Sequence, residues 1–220
     1  MTAASVLKPA GFPGAPTPMA GRLPAGIRLI WLHLRTRRVP AGIVALAVCA
    51  VLLRATLHWK SSSDPQQFPL IVEAGAAAVI AVTTHGPFGE AERATGRWLP
   101  AMRLLAAAGM CGLAILALQL GVVGGNLNEG ILVLARNVIG FTGLGLACSL
   151  VTGGLLAWVL PLGYLAFCQY ALADAWSAPW TWPARPPADR GGWIAAAAVL
   201  AVALLAYTLR GPRTRPGDDA

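Results

Sequence analysis

The chain has 220 residues, 56% of them hydrophobic and only 12% charged, with a formal net charge of +8 and a mean hydropathy of +0.63. A soluble domain carries roughly 25% charged residues, so the composition excludes an ordinary water-soluble globule. The basic balance does not point to nucleic acid, because the bases are spread over span ends and short loops instead of one polar module.

Residues 1–25 are rich in Pro, Gly and Ala and lack a periodic apolar pattern, which reads as a disordered tail. No acidic residue precedes Asp64, whereas Lys8, Arg22, Arg28, Arg35, Arg37 and Arg38 precede the first apolar run. That asymmetry predicts a cytoplasmic N-terminus. No cleavable leader is expected, since the apolar run starts only after Pro40, contains Arg54 and is not followed by a small-residue cleavage site. In residues 26–38, GIRLIWLHLRTRR, the side chains Ile27, Ile30, Trp31 and Leu34 share one helical face, although Leu29 and Leu32 do not. The segment reads as a short interfacial helix on the inner leaflet, or equally as the charged flank of the first span.

Spans are expected at 41–59 and 68–84, joined as a hairpin by the polar turn KSSSDPQQ. The following loop, HGPFGEAERATGRWLPAMR, carries Glu90 and Glu92 and then Arg93, Arg97 and Arg103. Its arginines mark it as cytoplasmic. A third span at 101–124 leads to the outer turn GNLNEG. Residues 131–173 accommodate two crossings of about 20 residues each only with a tight reversal, placed at Thr152, Gly153 and Gly154. The fourth and fifth spans are then 131–152 and 154–173, with a kink expected at Pro161. Residues 174–192 form the largest outer loop, where Trp176, Trp180 and Trp182 suit the headgroup region. A re-entrant segment and a plain Pro-rich loop both fit that stretch. The sixth span covers 193–209, and the tail 211–220, with Arg213 and Arg215, is expected inside. The predicted fold is all-α: a polytopic membrane protein with six transmembrane helices, both termini cytoplasmic, multi-pass in the cell membrane.

Three charges fall inside the predicted spans, Arg54, Glu73 and Arg136. An isolated charge at the centre of a span costs about 2.5 to 3.5 kcal/mol, so each should face a cavity or another charge. Substrate contact and a bundle-locking ion pair both satisfy that requirement. Arg54 and Glu73 lie at similar depth on the two arms of the first hairpin and are expected to pair. Gly121 and Gly125, and Gly140, Gly143 and Ala147, stand at spacings that allow close helix approach.

Cys49, Cys111, Cys148 and Cys168 lie in apolar runs without CxxC spacing, as buried thiols do. His33, His58 and His85 fall at span boundaries. The chain contains no GxxxxGK[ST], HExxH or GxSxG motif and no paired carboxylates on one helix. No catalytic, cofactor-binding or metal-ligating residue is therefore expected.

A basic pre-span helix, a first hairpin, a charged loop between the second and third spans and a large final outer loop together resemble the permease subunits of type-2 ABC exporters. The stretches GPFGEAERATGRWLP and ARNVIGFTGLGL also resemble segments of actinobacterial membrane proteins. The resemblance implies a dimer working with a separate ATP-binding subunit, contacted by residues 26–38 and by the loop 86–103 that holds Glu90, Glu92, Arg93 and Arg97. It implies export of a hydrophobic or amphipathic substrate, and it makes 174–192 the counterpart of a loop that often contains re-entrant helices. The alternative is a non-transporting membrane scaffold or accessory subunit.

Overall fold

A computed structural model describes residues 39–59, 67–83, 99–123, 130–174 and 178–210. The tails, the segment 26–38 and the loop with Glu90, Glu92, Arg93 and Arg97 lie outside the described residues. The described elements are helices α1 (Val39–Trp59), α2 (Gln67–Thr83), α3 (Leu99–Val122), α4 (Gly130–Thr152), α5 (Val159–Ala173) and α6 (Arg190–Arg210). Two single 3₁₀ turns, Gly154–Leu156 and Trp182–Ala184, flank α5, and no strand occurs among the described residues.

Five helical stretches are long and apolar enough to cross a membrane: Val39–Trp59, Pro100–Val122, Gly130–Thr152, Gly154–Ala171 and Arg190–Arg210. The apolar stretch of α2, Phe68–Thr83, is shorter. Segments apolar all round become helices because only the helix satisfies every backbone N–H and C=O within one segment when no water is near. Pro40 and Pro100 fall in the first turns of α1 and α3, where their missing N–H would have had no partner. Pro161 does the same in α5. The expected kink in the fifth span is instead a break, with the 3₁₀ turn Gly154–Leu156 ending before α5 starts at Val159. The reversal after α4 passes through Gly153 at φ 84° and ψ 170°, a region open to glycine alone.

Helix α4 is the axis of the bundle. Of its membrane-length stretch 67% is buried, against 17% for α1 and 22% for α6. It packs most extensively on α6 and α2 and also on α3 and α5, while α1 covers α2 and α3. Leu46, Leu53, Ile80, Leu118 and Leu134 form the principal core cluster. The outward faces are as apolar as the core: Val44, Val51, Leu105, Leu120, Val202 and Leu209 are between 64% and 71% exposed. Water would not tolerate so continuous an apolar surface, whereas hydrocarbon is indifferent to it.

Where α4 meets α6, backbone touches backbone. A Cβ added at Gly143 would stand 2.7 Å from Leu200 N and 2.8 Å from Leu200 Cα. A Cβ at Gly121 would likewise stand 2.6 Å from Ala50 O, so α3 and α1 also approach through glycine. Between apolar helices in lipid, close approach supplies the dispersion contact that a hydrophobic effect would supply in water. Gly143→Ala should therefore lower the thermal unfolding midpoint in detergent by the equivalent of about 1 to 3 kcal/mol, the usual cost of overpacking. Gly163→Ala, where an added Cβ meets nothing within 4 Å, should leave the midpoint unchanged.

Candidate functional site

Glu73, Arg136, Asn137 and Thr181 are buried toward the end where α1, α3 and α5 finish and α2, α4 and α6 begin. Arg136 lies on the second turn of α4 and is 0% exposed. Its Nη1 donates to the carbonyl of Pro186 at 2.8 Å and its Nη2 to the carbonyl of Arg185 at 2.8 Å. A planar guanidinium thus spans two successive carbonyls of the segment between α5 and α6, a geometry that a lysine ammonium cannot reproduce.

The same segment is tied to α6 by its own side chains. Arg185 grips Asp189 with two bonds, Nε to Oδ2 at 3.0 Å and Nη2 to Oδ1 at 2.8 Å. Asp189 Oδ2 also accepts the backbone N–H of Gly192 at 2.6 Å, which makes Asp189 the N-cap of α6. Gly192 lies close to both groups: an added Cβ would stand 3.2 Å from Asp189 Oδ2 and 3.3 Å from Arg136 Nη1. The Arg185 guanidinium, then the Gly192 N–H, hold the Asp189 carboxyl below its ordinary value of 3.8. Reciprocally, the hydrogen bonds to Asp189 push the Arg185 guanidinium up. Trp193 Nε1 donates to the carbonyl of Pro187 at 3.1 Å and closes the other side of the turn.

This fastening lowers Trp182 into the bundle. Trp182 is only 2% exposed, and its ring stacks on Tyr164 of α5 at 4.6 Å between centroids. Tyr164 meets Phe141 of α4 edge to face at 6.1 Å, and its hydroxyl donates to the carbonyl of Trp180. Gly140 gives the indole its seat, for a Cβ there would come within 2.5 Å of the ring. Residues 178–189 are therefore an inward-folded cap. Trp182 is a plug in the core, not the headgroup anchor expected for it; Trp180, 62% exposed, keeps an outward position, and Trp176 lies outside the described residues.

Asn137 occupies the neighbouring face of α4 and meets Glu73 of α2. Successive residues of a helix turn by about 100°, so Arg136 meets the cap while Asn137 meets α2. Asn137 Nδ2 donates to Glu73 Oε2 at 2.9 Å, with Glu73 3% and Asn137 0% exposed. Asn137 Oδ1 and Trp182 Nε1 are buried without a hydrogen-bond partner among the described residues.

The expected Arg54–Glu73 ion pair does not form. Arg54 is exposed on α1 and its Nη1 donates at 2.9 Å to the carbonyl of Val123 at the end of α3. The two side chains meet different neighbours, Arg54 at the end of α3 and Glu73 at the Asn137 amide of α4. A cation on the last carbonyls of a helix is favourable, because those carbonyls lack intrahelical partners and carry the negative end of the helix dipole. Arg103, counted with the bases of the charged loop, lies instead on α3 and is only 8% exposed.

Sequence reading missed Asn137, Tyr164, Arg185 and Asp189. A signal existed for Asp189, an acid directly before an apolar run and four residues after an arginine. None existed for Tyr164, whose role depends on what the cap brings to it. Among the described residues no three His, Cys, Asp or Glu side chains converge as metal ligands. No protein-family model matches the chain, and no curated protein and no solved structure matches it.

Two expectations follow from the cap. Arg136→Met removes both charge-assisted bonds, each worth about 1.5 to 3 kcal/mol, and leaves the Pro186 carbonyl with the Asp189 N–H at 3.1 Å. Amide exchange in residues 178–189 should then accelerate well beyond that of α3, as hydrogen-exchange mass spectrometry would record. Asp189 has a depressed folded value, so its stabilisation is complete above 3.8 and lost as pH falls from there through the lowered value. Protection of the cap should accordingly be level down to that range and drop below it, and Asp189→Asn should abolish the pH step.

Proposed function

We propose that this chain is the membrane-embedded permease subunit of an ABC-type exporter that moves a hydrophobic or amphipathic substrate with a separate ATP-binding subunit. In this reading all six helices cross the cell membrane, α2 being the shortest, and both termini are cytoplasmic. Arginine placement in the sequence supports that orientation. One observation carries the reading of a transport path: a carboxylate, Glu73, kept inside a lipid-facing bundle with a buried amide, Asn137, as its hydrogen-bond donor. Ionisable groups at that position cost several kcal/mol and mark substrate or ion pathways. Here Glu73 and Asn137 offer paired polar contacts inside the bundle, next to a capped end. Coupling to an ATPase rests on the layout of the chain, with the loop carrying Glu90, Glu92, Arg93 and Arg97 as the docking element. The lipid bilayer and a second permease copy, identical or related, complete the assembly.

A second reading, a non-transporting scaffold or accessory subunit, draws on the Arg136 clasp. A bundle end fastened by bonds to backbone carbonyls is also what a static support requires.

The discriminating experiment is affinity purification in mild detergent followed by an assay for ATP hydrolysis. The permease reading expects an ATPase to copurify, and expects charge reversal at Glu90, Glu92, Arg93 and Arg97 together to abolish the association while membrane insertion stays intact. Copurification untouched by the reversal would reduce that loop to a solvated connector. Absence of any ATPase from the wild-type preparation would favour the scaffold.

A further inference from the structure

Helices α4 and α6 touch at Gly143 and Leu200 and stay packed through Leu146, Ala203 and Tyr207. Between them opens a groove of about 550 Å³, lined by Leu150, Val151, Val202 and small side chains including Ala198 and Ala206, with Arg210 at its end. We propose that this groove binds one acyl chain of an anionic phospholipid, whose phosphate is held by Arg210.

Length supports the assignment. Helix α6 has 21 residues, about 31 Å at 1.5 Å per residue, which matches a hydrocarbon core of about 30 Å. Arg210 closes α6 and therefore lies at one membrane face. From Ala198 to Arg210 the groove runs about 18 Å, slightly more than the roughly 15 Å of one leaflet. It offers a single chain an apolar path through its own leaflet and a cation at headgroup level. The lining supplies no hydrogen-bonding side chain until Arg210, as suits hydrocarbon followed by an anion.

A groove of small residues between helices is also where a second copy's helix can lie. Charge argues against that occupant. Two copies inserted in the same direction are related by an axis along the membrane normal, so equivalent residues meet at equal depth. The two Arg210 side chains would then share one depth, where like charges repel, whereas an anionic lipid neutralises the charge.

The inference requires only that the bundle lie in a membrane and stands apart from the exporter proposal. Native mass spectrometry of the detergent-purified full chain, titrated with phosphatidylglycerol or with phosphatidylcholine of identical acyl chains, tests it. Wild type should take up one phosphatidylglycerol in preference to phosphatidylcholine. Arg210→Gln should weaken phosphatidylglycerol binding about fivefold, the effect of removing one basic side chain from an anionic surface, and erase the headgroup preference. Ala206→Leu, which fills the groove and leaves Arg210 in place, should weaken both lipids. Equal binding of the two lipids to wild type would overturn the proposal, as would phosphatidylglycerol binding unchanged by both variants. A wild-type dimer that Ala206→Leu converts to monomer would overturn it in favour of a second copy.

Discussion

A buried guanidinium organises one end of this protein. Arg136 is 0% exposed, and a cation so placed is tolerable only where oxygen dipoles surround it. Two of those oxygens are the carbonyls of Arg185 and Pro186, so the requirement of a residue on α4 dictates the path of a chain segment about fifty positions later. Once that segment is drawn inward, Trp182 must enter the bundle. Gly140 must then lack a side chain, and Tyr164 must stack where it does. Asp189 completes the arrangement by capping α6 while holding the neighbouring arginine. The Arg136 clasp holds the cap and its plug, while Asp189 sets the start of the last helix.

The rest of the bundle relies on size more than on polarity. Apolar faces turned outward are as hydrophobic as those turned inward, so burial of apolar area cannot by itself select which faces meet. Small residues decide. Gly143 lets α6 reach the backbone of α4, and Gly121 lets α1 reach that of α3; dispersion at those crossings substitutes for the hydrophobic effect. The groove beyond Gly143 lies where small side chains of α6, Ala198 and Ala206 among them, face α4.

Glu73 and Asn137 give the interior its second polar element. Asn137 sits one residue around α4 from the clasp, on the face toward α2, where Glu73 meets it. A carboxylate and an amide beneath a fastened loop are the arrangement on which the proposed transport role depends. The clasp is also the feature that the scaffold reading uses. What distinguishes the two is whether the cap opens, and the bonds that would have to break are those of Arg136, Arg185 and Asp189.

The sequence by itself determined that the described chain is helical and that several helices are long and apolar enough for a membrane, because backbone groups in hydrocarbon must pair locally and 56% apolar composition leaves long uncharged runs. Gly153 marked the reversal after α4 for an equally local reason, as only glycine accepts that backbone conformation. It also marked Arg54, Glu73 and Arg136 as costly. Their partners were decided by the tertiary structure alone. Arg54 goes to a helix-terminal carbonyl and Arg136 to two loop carbonyls, and backbone carbonyls are present at every position, so no residue type announces them. Depth along a hairpin can be counted from sequence, but the azimuth at which a side chain leaves its helix, and the neighbour it meets there, depend on how the helices rotate and cross. Trp182 suited an interface by its chemistry and became a plug because a distant arginine required the loop that carries it.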